Sequence, residues 1–375
     1  MHADKRFLKP IFKNYNDRSL SIVKKVLLVD NELTGHHYIY AKTLAEYKYK
    51  NIEVIGFFAN IYKDINVKQP QECTIKKIES IFSYLKWIKE IYLIAKNEDV
   101  DTIHFLFADT LCKYFGIGFV LFRKFQLVGT FHQFRYSFLR DFSHKVLFNK
   151  MDKSIVHTEF IYNKFKNNRI YNLIHIEYPK FNYMPIYSEN FAKNFWNIDT
   201  STPVILALGD TRFDKGLDIL LESLKSININ FHLLIAGKVQ TFDEEFIKVH
   251  TKSYRNKVTM YLQYLSDEEL NMALNAADII VLPYRKCFDG ASGPLGEGVW
   301  LKKTIIGPNH GSLGNLIKSN KIGLVFESED TNSLTRALNK VLLNGFKWNK
   351  TAESYRNQLN PKFFCEKYSD VYRNR

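Results

Sequence analysis

Residues Ala277 to Gly307 read A-D-I-I-V-L-P-Y-R-K-C-F-D-G-A-S-G-P-L-G-E-G-V-W-L-K-K-T-I-I-G, and the order of apolar and special residues in that stretch decides the fold. Ile279 to Leu282 is a short, wholly apolar run, the pattern of a strand buried on both faces, and Thr304 to Ile306 is another. Between them an irregular loop leads to Ser292-Gly293-Pro294. A small polar cap, a flexible glycine and a proline there predict a helix opening near Pro294. The first N–H groups of a helix have no internal partner, and the peptide dipoles add to their pull on negative charge. Ser292, Gly293 and Leu295 therefore offer a place for an anion, best a phosphate. Asp289 before the turn and Glu297 inside the helix are carboxylates, which repel phosphate but accept hydrogen bonds from hydroxyls. Asp289 also reads as a turn former ahead of Gly290, and Glu297 as a charge answering the helix dipole. Phosphate-binding N–H groups flanked by two hydroxyl acceptors suit a sugar nucleotide.

The same rhythm runs through the chain. Val26 to Val29, Ile52 to Phe58, Asp101 to Phe107, Leu127 to Phe131 and Lys153 to Val156 read as strands, with helical spacing over Ile78 to Ile94, Thr110 to Phe125 and Glu159 to Phe165. Residues 183–203 break the pattern and read as a linker. Strands resume at Val204 to Leu208, Phe231 to Ala236, Val258 to Leu262, Ile279 to Leu282, Thr304 to Ile306 and Leu324 to Phe326. Ser266 with Glu269 three residues on is a capping box. Ser328 to Leu343 reads as a helix, and Phe363 to Tyr372 as a last helix crossing back to the first unit. The expectation is an α/β chain of two doubly wound units: residues 1–190, residues 200–350, and a tail over 351–375. No solenoid repeat or low-complexity tract is visible.

Composition narrows the class. With 46% hydrophobic and 25% charged residues, the chain is globular rather than disordered. No run of about 18 apolar residues occurs, and the first ten residues lack a signal-peptide core, which predicts a cytoplasmic protein. The four cysteines, Cys73, Cys112, Cys287 and Cys365, are scattered, and no His, Cys or acidic grouping has metal-site spacing. The net charge of +14 lies mostly in residues 1–190, which hold 29 of the 53 Lys and Arg and 19 of the 39 Asp and Glu. Such a half draws polyanions or an anionic membrane surface, or is a solvated basic face. Between Lys113 and Phe148, aromatics alternate with basic residues: Phe122-Arg123-Lys124-Phe125, Phe134-Arg135-Tyr136, Phe138, Arg140, Phe142 and Lys145. This reads either as an interfacial surface for a lipid-linked acceptor or as a core strand with two amphipathic helices. No recognised RNA or DNA module is present, which speaks against nucleic acid.

Further candidates stand at strand ends. Arg212 and Lys215, in G-D-T-R-F-D-K-G after Val204 to Leu208, face the crevice where parallel sheets bind ligands, and both suit phosphate. They also read as ordinary charges on a solvated loop. His132 ends a strand, touching a sugar or serving the core; His104 lies within a strand and reads as core. Gly35, His36 and His37 open a helix after the first strand, with one histidine turned to the ligand on the acceptor side.

These motifs resemble the retaining GT-B glycosyltransferases, the large family-four group. Its hallmark is Glu, seven residues, then Glu, after a strand ending L-P; here Asp289 holds the first place and Glu297 the second. Its R-x-x-K-G matches Arg212 to Gly216, and its G-G-x-x-E is matched loosely by His310 to Asn315, without the acid. The match runs from about Pro203 to Asn344; in the first half it rests on Gly35-His36-His37 and on His132 after G-T-F. The resemblance implies two Rossmann-like domains facing a central cleft, with a UDP- or GDP-sugar held mainly by the second. By position it implies that Arg212 and Lys215 neutralise the diphosphate, Glu297 accepts from the ribose, Asp289 accepts from the sugar, and His132 lines the reaction centre. It implies no divalent metal and no cofactor, since cations and a helix terminus stabilise the leaving diphosphate. The acceptor is a saccharide or a lipid-linked saccharide. The Lys-, Asn- and Ile-rich composition, that of an AT-rich bacterial genome, associates the chain with surface-polysaccharide assembly. The alternative is a GT-B-like subunit that binds without catalysing, for which Asp289 and the missing acid near Asn315 speak.

Overall fold

The computed structural model describes residues 23–32, 36–132, 138–166, 170–181, 186–288 and 292–374. Two six-stranded parallel sheets form its frame. The first has the order β2 (Ile52–Phe58), β1 (Lys24–Asp30), β3 (Thr102–Phe105), β4 (Gln126–Phe131), β5 (Lys153–Val156), β6 (Leu173–His175). The second has the order β12 (Gly323–Phe326), β11 (Thr304–Pro308), β10 (Ile279–Val281), β7 (Val204–Leu208), β8 (His232–Ala236), β9 (Val258–Tyr261). Strand order reverses between β1 and β3 in one sheet and between β7 and β10 in the other. At such switch points helices leave opposite faces and a crevice opens at the carboxyl ends.

The central strands are apolar because helices cover both faces. Leu27, Ile55, Ile103 and Leu127 pack on one face of the first sheet against α2 (Ile81–Asn97), whose Trp87, Ile88 and Ile91 are buried. The other face packs on α1 (His36–Glu46) and on the last helix, α13 (Pro361–Arg373), through Phe364, Tyr368 and Tyr372. The tail therefore returns to the first sheet. A buried chain of hydrogen bonds fixes it there, and its direction is forced. The Ile176 carbonyl only accepts, so His157 Nδ1 donates to it (2.7 Å) and, the ring being neutral, Nε2 accepts from Tyr40 (3.2 Å). Tyr40 must then accept from Tyr368 (2.6 Å), Tyr368 from Thr130 (2.8 Å), Thr130 from His104 Nε2 (2.9 Å), and His104 Nδ1 from Tyr372 (2.8 Å). Every buried polar atom in that run has its partner, as burial demands.

The structure adds to or departs from the sequence reading in three places. Thr110 to Phe125 is not one helix: two 3-10 stretches, Ala108–Tyr114 and Phe119–Phe122, are separated by left-handed Phe115, Gly116 and Gly118 (φ 52°, 64° and 90°), which an α-helix cannot accommodate. The stretch expected as a linker contains α5 (Glu189–Phe195), which packs on α8 (Asp267–Ala276) of the second unit. Its Lys193 is buried because Glu189 and Asp278 both pair with it (2.5 and 3.2 Å). The short edge strand β6 was not anticipated. In the basic-aromatic region Phe122 and Phe148 belong to the core, whereas Phe138 (86% exposed), Leu139 and Phe142 stand out on α3 (Phe138–Lys150); Phe134, Arg135 and Tyr136 lie outside the described residues.

Candidate functional site

A cavity of about 470 Å³ opens where the carboxyl ends of the two sheets face each other. Its first wall is built by the β1, β3 and β4 ends. The Phe107 ring, just beyond β3, is sandwiched between His37 (centroids 3.4 Å, 14°) and His132 (3.9 Å, 13°). The sandwich holds two histidines whose surroundings shift them in opposite directions. Asp30, the last residue of β1, receives His37 Nδ1 at 2.9 Å. Burial works against charging His37, yet the Asp30 bond and charge outweigh it and lift its pKa. His132 donates from Nε2 to the Leu106 carbonyl (2.9 Å), which leaves the lone pair on Nδ1. Burial, then the neighbouring His157, push its pKa well down, so the ring is neutral at pH 7. Its backbone N–H is held by Asp109 (2.8 Å).

The second wall is the start of α9 (Gly293–Trp300). Ser292 caps it, its hydroxyl accepting from the Leu295 N–H (3.3 Å), while the Tyr284 hydroxyl lies 3.4 Å from that same oxygen. Gly293 and Leu295 line the cavity beside Glu297, one turn in. The start of α10 (Gly311–Asn320) opens onto the same space, and no side chain caps it. Glu297 is engaged: the Lys180 ammonium, from the segment following β6, pairs with its carboxylate. Burial pulls Lys180 down to about 8, against the Asp267 charge, which still leaves it charged at neutral pH.

The two cations after β7 lie elsewhere, which corrects the expectation of one cleft holding Arg212, Lys215 and Glu297. Arg212 folds back onto Asp214 in a two-point ion pair (2.9 and 2.6 Å). Lys215 lines a small adjoining pocket with Gly209, Thr211 and Tyr284. Tyr284 separates the two spaces and lines both, with the Lys215 ammonium 6.0 Å from its ring centre. Burial, then Arg212, lowers the Lys215 pKa. The loop geometry rests on two glycines. Gly209 (φ 107°) leaves room for the Lys215 ammonium, and a Cβ on Gly216 (φ 64°) would run into the Pro283 carbonyl. Arg285 ties the two loops together, stacking on Phe213 (3.9 Å) and gripping Asp218 (3.0 and 2.6 Å).

The cavity thus gathers His37, His132, Ser292, Gly293, Leu295 and Glu297. Asp289 and Gly35 lie outside the described residues, as does the side chain of His36. Sequence reading missed Lys180, Phe107 and Asp30. Of these only Asp30, a carboxylate closing a buried strand, left a signal. Among the described residues no group of three or more His, Cys, Asp or Glu is arranged to hold a metal, and no helix is long and apolar enough to cross a membrane.

Comparison with known proteins agrees with this architecture. A crystallised glycosyltransferase from Rickettsia africae superposes with a TM-score of 0.70 at 17% identity, over 93% of this chain and 97% of that one. A protein from Anabaena, HepE in complex with UDP and glucose, does so with a TM-score of 0.61 at 12% identity, over 93% and 99%. In sequence, an uncharacterized glycosyltransferase of Methanocaldococcus jannaschii is 28% identical over 153 residues, 41% of this chain; the chain spans about 42% of the length of that curated relative. Residues 188–359, from the cap of α5 through α12 (Lys350–Gln358), match the family described as Glycosyl transferases group 1. The chain therefore has the GT-B fold, and residues 188–359 within it are similar to the glycosyl transferases group 1 family.

Proposed function

We propose that this protein transfers a sugar from a nucleoside-diphosphate donor to a hydroxyl of a saccharide or lipid-linked saccharide, with retention of configuration and without a divalent metal. One observation carries the reading: a single cavity faces the start of α9 and Glu297 with a neutral histidine that holds a free lone pair. The diphosphate sits at the α9 N–H groups, where the helix dipole and the Lys215 charge behind Tyr284 stabilise the leaving group. Glu297 accepts from the ribose, Asp289 from the transferred sugar, and His132 Nδ1 from a hydroxyl at the reaction centre. The Anabaena protein of like fold holds UDP and glucose, which makes UDP-glucose the first donor to try. Exposed Phe138, Leu139 and Phe142 beside Arg140 and Lys145 suit contact with an anionic membrane bearing a lipid-linked acceptor, at the inner face of a bacterial plasma membrane in surface-polysaccharide assembly. A second reading, a subunit that binds without catalysing, draws on Arg212 turned onto Asp214 and on Asn315 in place of an acid. The test is a panel of UDP- and GDP-sugars with mass-spectrometric detection of released nucleoside diphosphate. Release that rises with added acceptor supports transfer; donor binding without release supports the second reading.

A further inference from the structure

We propose that Lys180 is a positioning residue for the donor, holding Glu297 ionised and oriented from the segment that joins the two units. This rests on the reading that Glu297 receives the ribose. Lys180 is 6% exposed, and an ammonium so buried requires an anionic partner. Its partner is Glu297 Oε2, and a carboxylate paired through one oxygen keeps the other as an acceptor for a hydroxyl.

The segment carrying Lys180 is itself fixed. Its backbone N–H donates to the Leu359 carbonyl at the end of α12 (2.8 Å), and Glu177 accepts from the Tyr355 hydroxyl (2.9 Å). Phe181 packs on Phe364 of α13, and Tyr178 on Tyr40 of α1. Both places where the chain passes between the sheets, before α5 and after α12, therefore converge on this lysine. Without Lys180 the Glu297 carboxylate loses the ammonium that pairs with it, and it turns away from the donor. The donor is then held by a carboxylate whose position is set by the junction between the units, so donor seating and the placement of the two sheets are linked.

The test is calorimetric titration of UDP and of GDP into the wild type, Lys180→Met, Lys180→Arg, Glu297→Gln and the double variant Lys180→Met/Glu297→Gln. Lys180→Met is expected to raise the Kd of the nucleotide that the wild type binds by about 30-fold, the scale for stripping one partner from a buried pair, and Lys180→Arg to stay within about threefold. In turnover, the donor KM rises while the acceptor KM is unchanged. The double variant removes both charges, so it folds without an orphaned ion, and it binds as well as Glu297→Gln alone. Affinity of Lys180→Met equal to wild type, or losses that simply add in the double variant, overturns the role of Lys180 and leaves the donor site standing. A wild type that binds neither nucleotide overturns both.

Discussion

Replacing Lys215 by Met removes one positive charge while keeping the length of the side chain, and the structure fixes how much that charge is worth. The ammonium lies 6.0 Å from the centre of the Tyr284 ring, which also lines the cavity. For a charge acting across that ring at about 9 Å, an effective dielectric of about 20 gives about 1.8 kcal/mol; in direct contact the same charge would contribute about 4 kcal/mol. At about 1.4 kcal/mol per decade, turnover falls roughly 20-fold if Lys215 acts from behind the ring, and roughly 1,000-fold if it swings into contact. The assay is initial-rate turnover at saturating donor, with circular dichroism and urea unfolding to show that the variant keeps its fold. Arg212→Met should cost less, because Asp214 already neutralises that guanidinium. Unchanged turnover in a folded Lys215→Met protein refutes the reasoning. So does a larger loss in Arg212→Met.

Tyr368→Phe deletes the hydroxyl in the middle of the chain from Tyr372 to Ile176, taking from Tyr40 the donor it accepts from and from Thr130 the acceptor it donates to, so urea unfolding should show a loss of about 1–3 kcal/mol. His104 and His157 are held at about 3 and about 4 by burial. The unfolded chain binds their protons near pH 6.5 and the folded one does not, so stability is fully present above that pH. It should fall by about 1.4 kcal/mol per pH unit for each ring as pH drops from about 6.5 towards 4. A flat unfolding free energy from pH 7 to 5, or an unchanged slope in His104→Gln, contradicts this. Charging the exposed face of α3 with Phe138→Asp, Leu139→Asp and Phe142→Asp should abolish sedimentation with anionic vesicles while leaving turnover on a soluble acceptor intact; equal sedimentation of the triple variant excludes that face.

What could be read without coordinates follows from the physics of parallel sheets. β7 was legible end to end because a strand covered on both faces is a continuous apolar run; β2 and β5 were bounded as well, with Glu53 and Lys153-Ser154 the only polar residues in them. The Ser266–Glu269 capping box was legible because its two hydrogen bonds are local. β6 has three residues, too few to show a period. α5 hides because the residue that buries its inner face is a lysine, stable there only through Asp278, far along the chain. In the site, Glu297 and His132 declared themselves by standing at a helix start and a strand end. Lys180 did not, since nothing near Tyr178-Pro179-Lys180-Phe181 says which carboxylate it will meet. Arg212 follows β7, but its engagement with Asp214 is a matter of side-chain rotation that spacing does not encode.

The most direct test of the central claim, that one cavity between the sheets seats a nucleoside diphosphate, is titration calorimetry of UDP-glucose and GDP-glucose into the wild type and Glu297→Ala. The wild type should bind one of them at one site per chain, and the variant should lose that binding while unfolding at the same urea concentration. Equal heats in both proteins, or no binding to either donor, would contradict it.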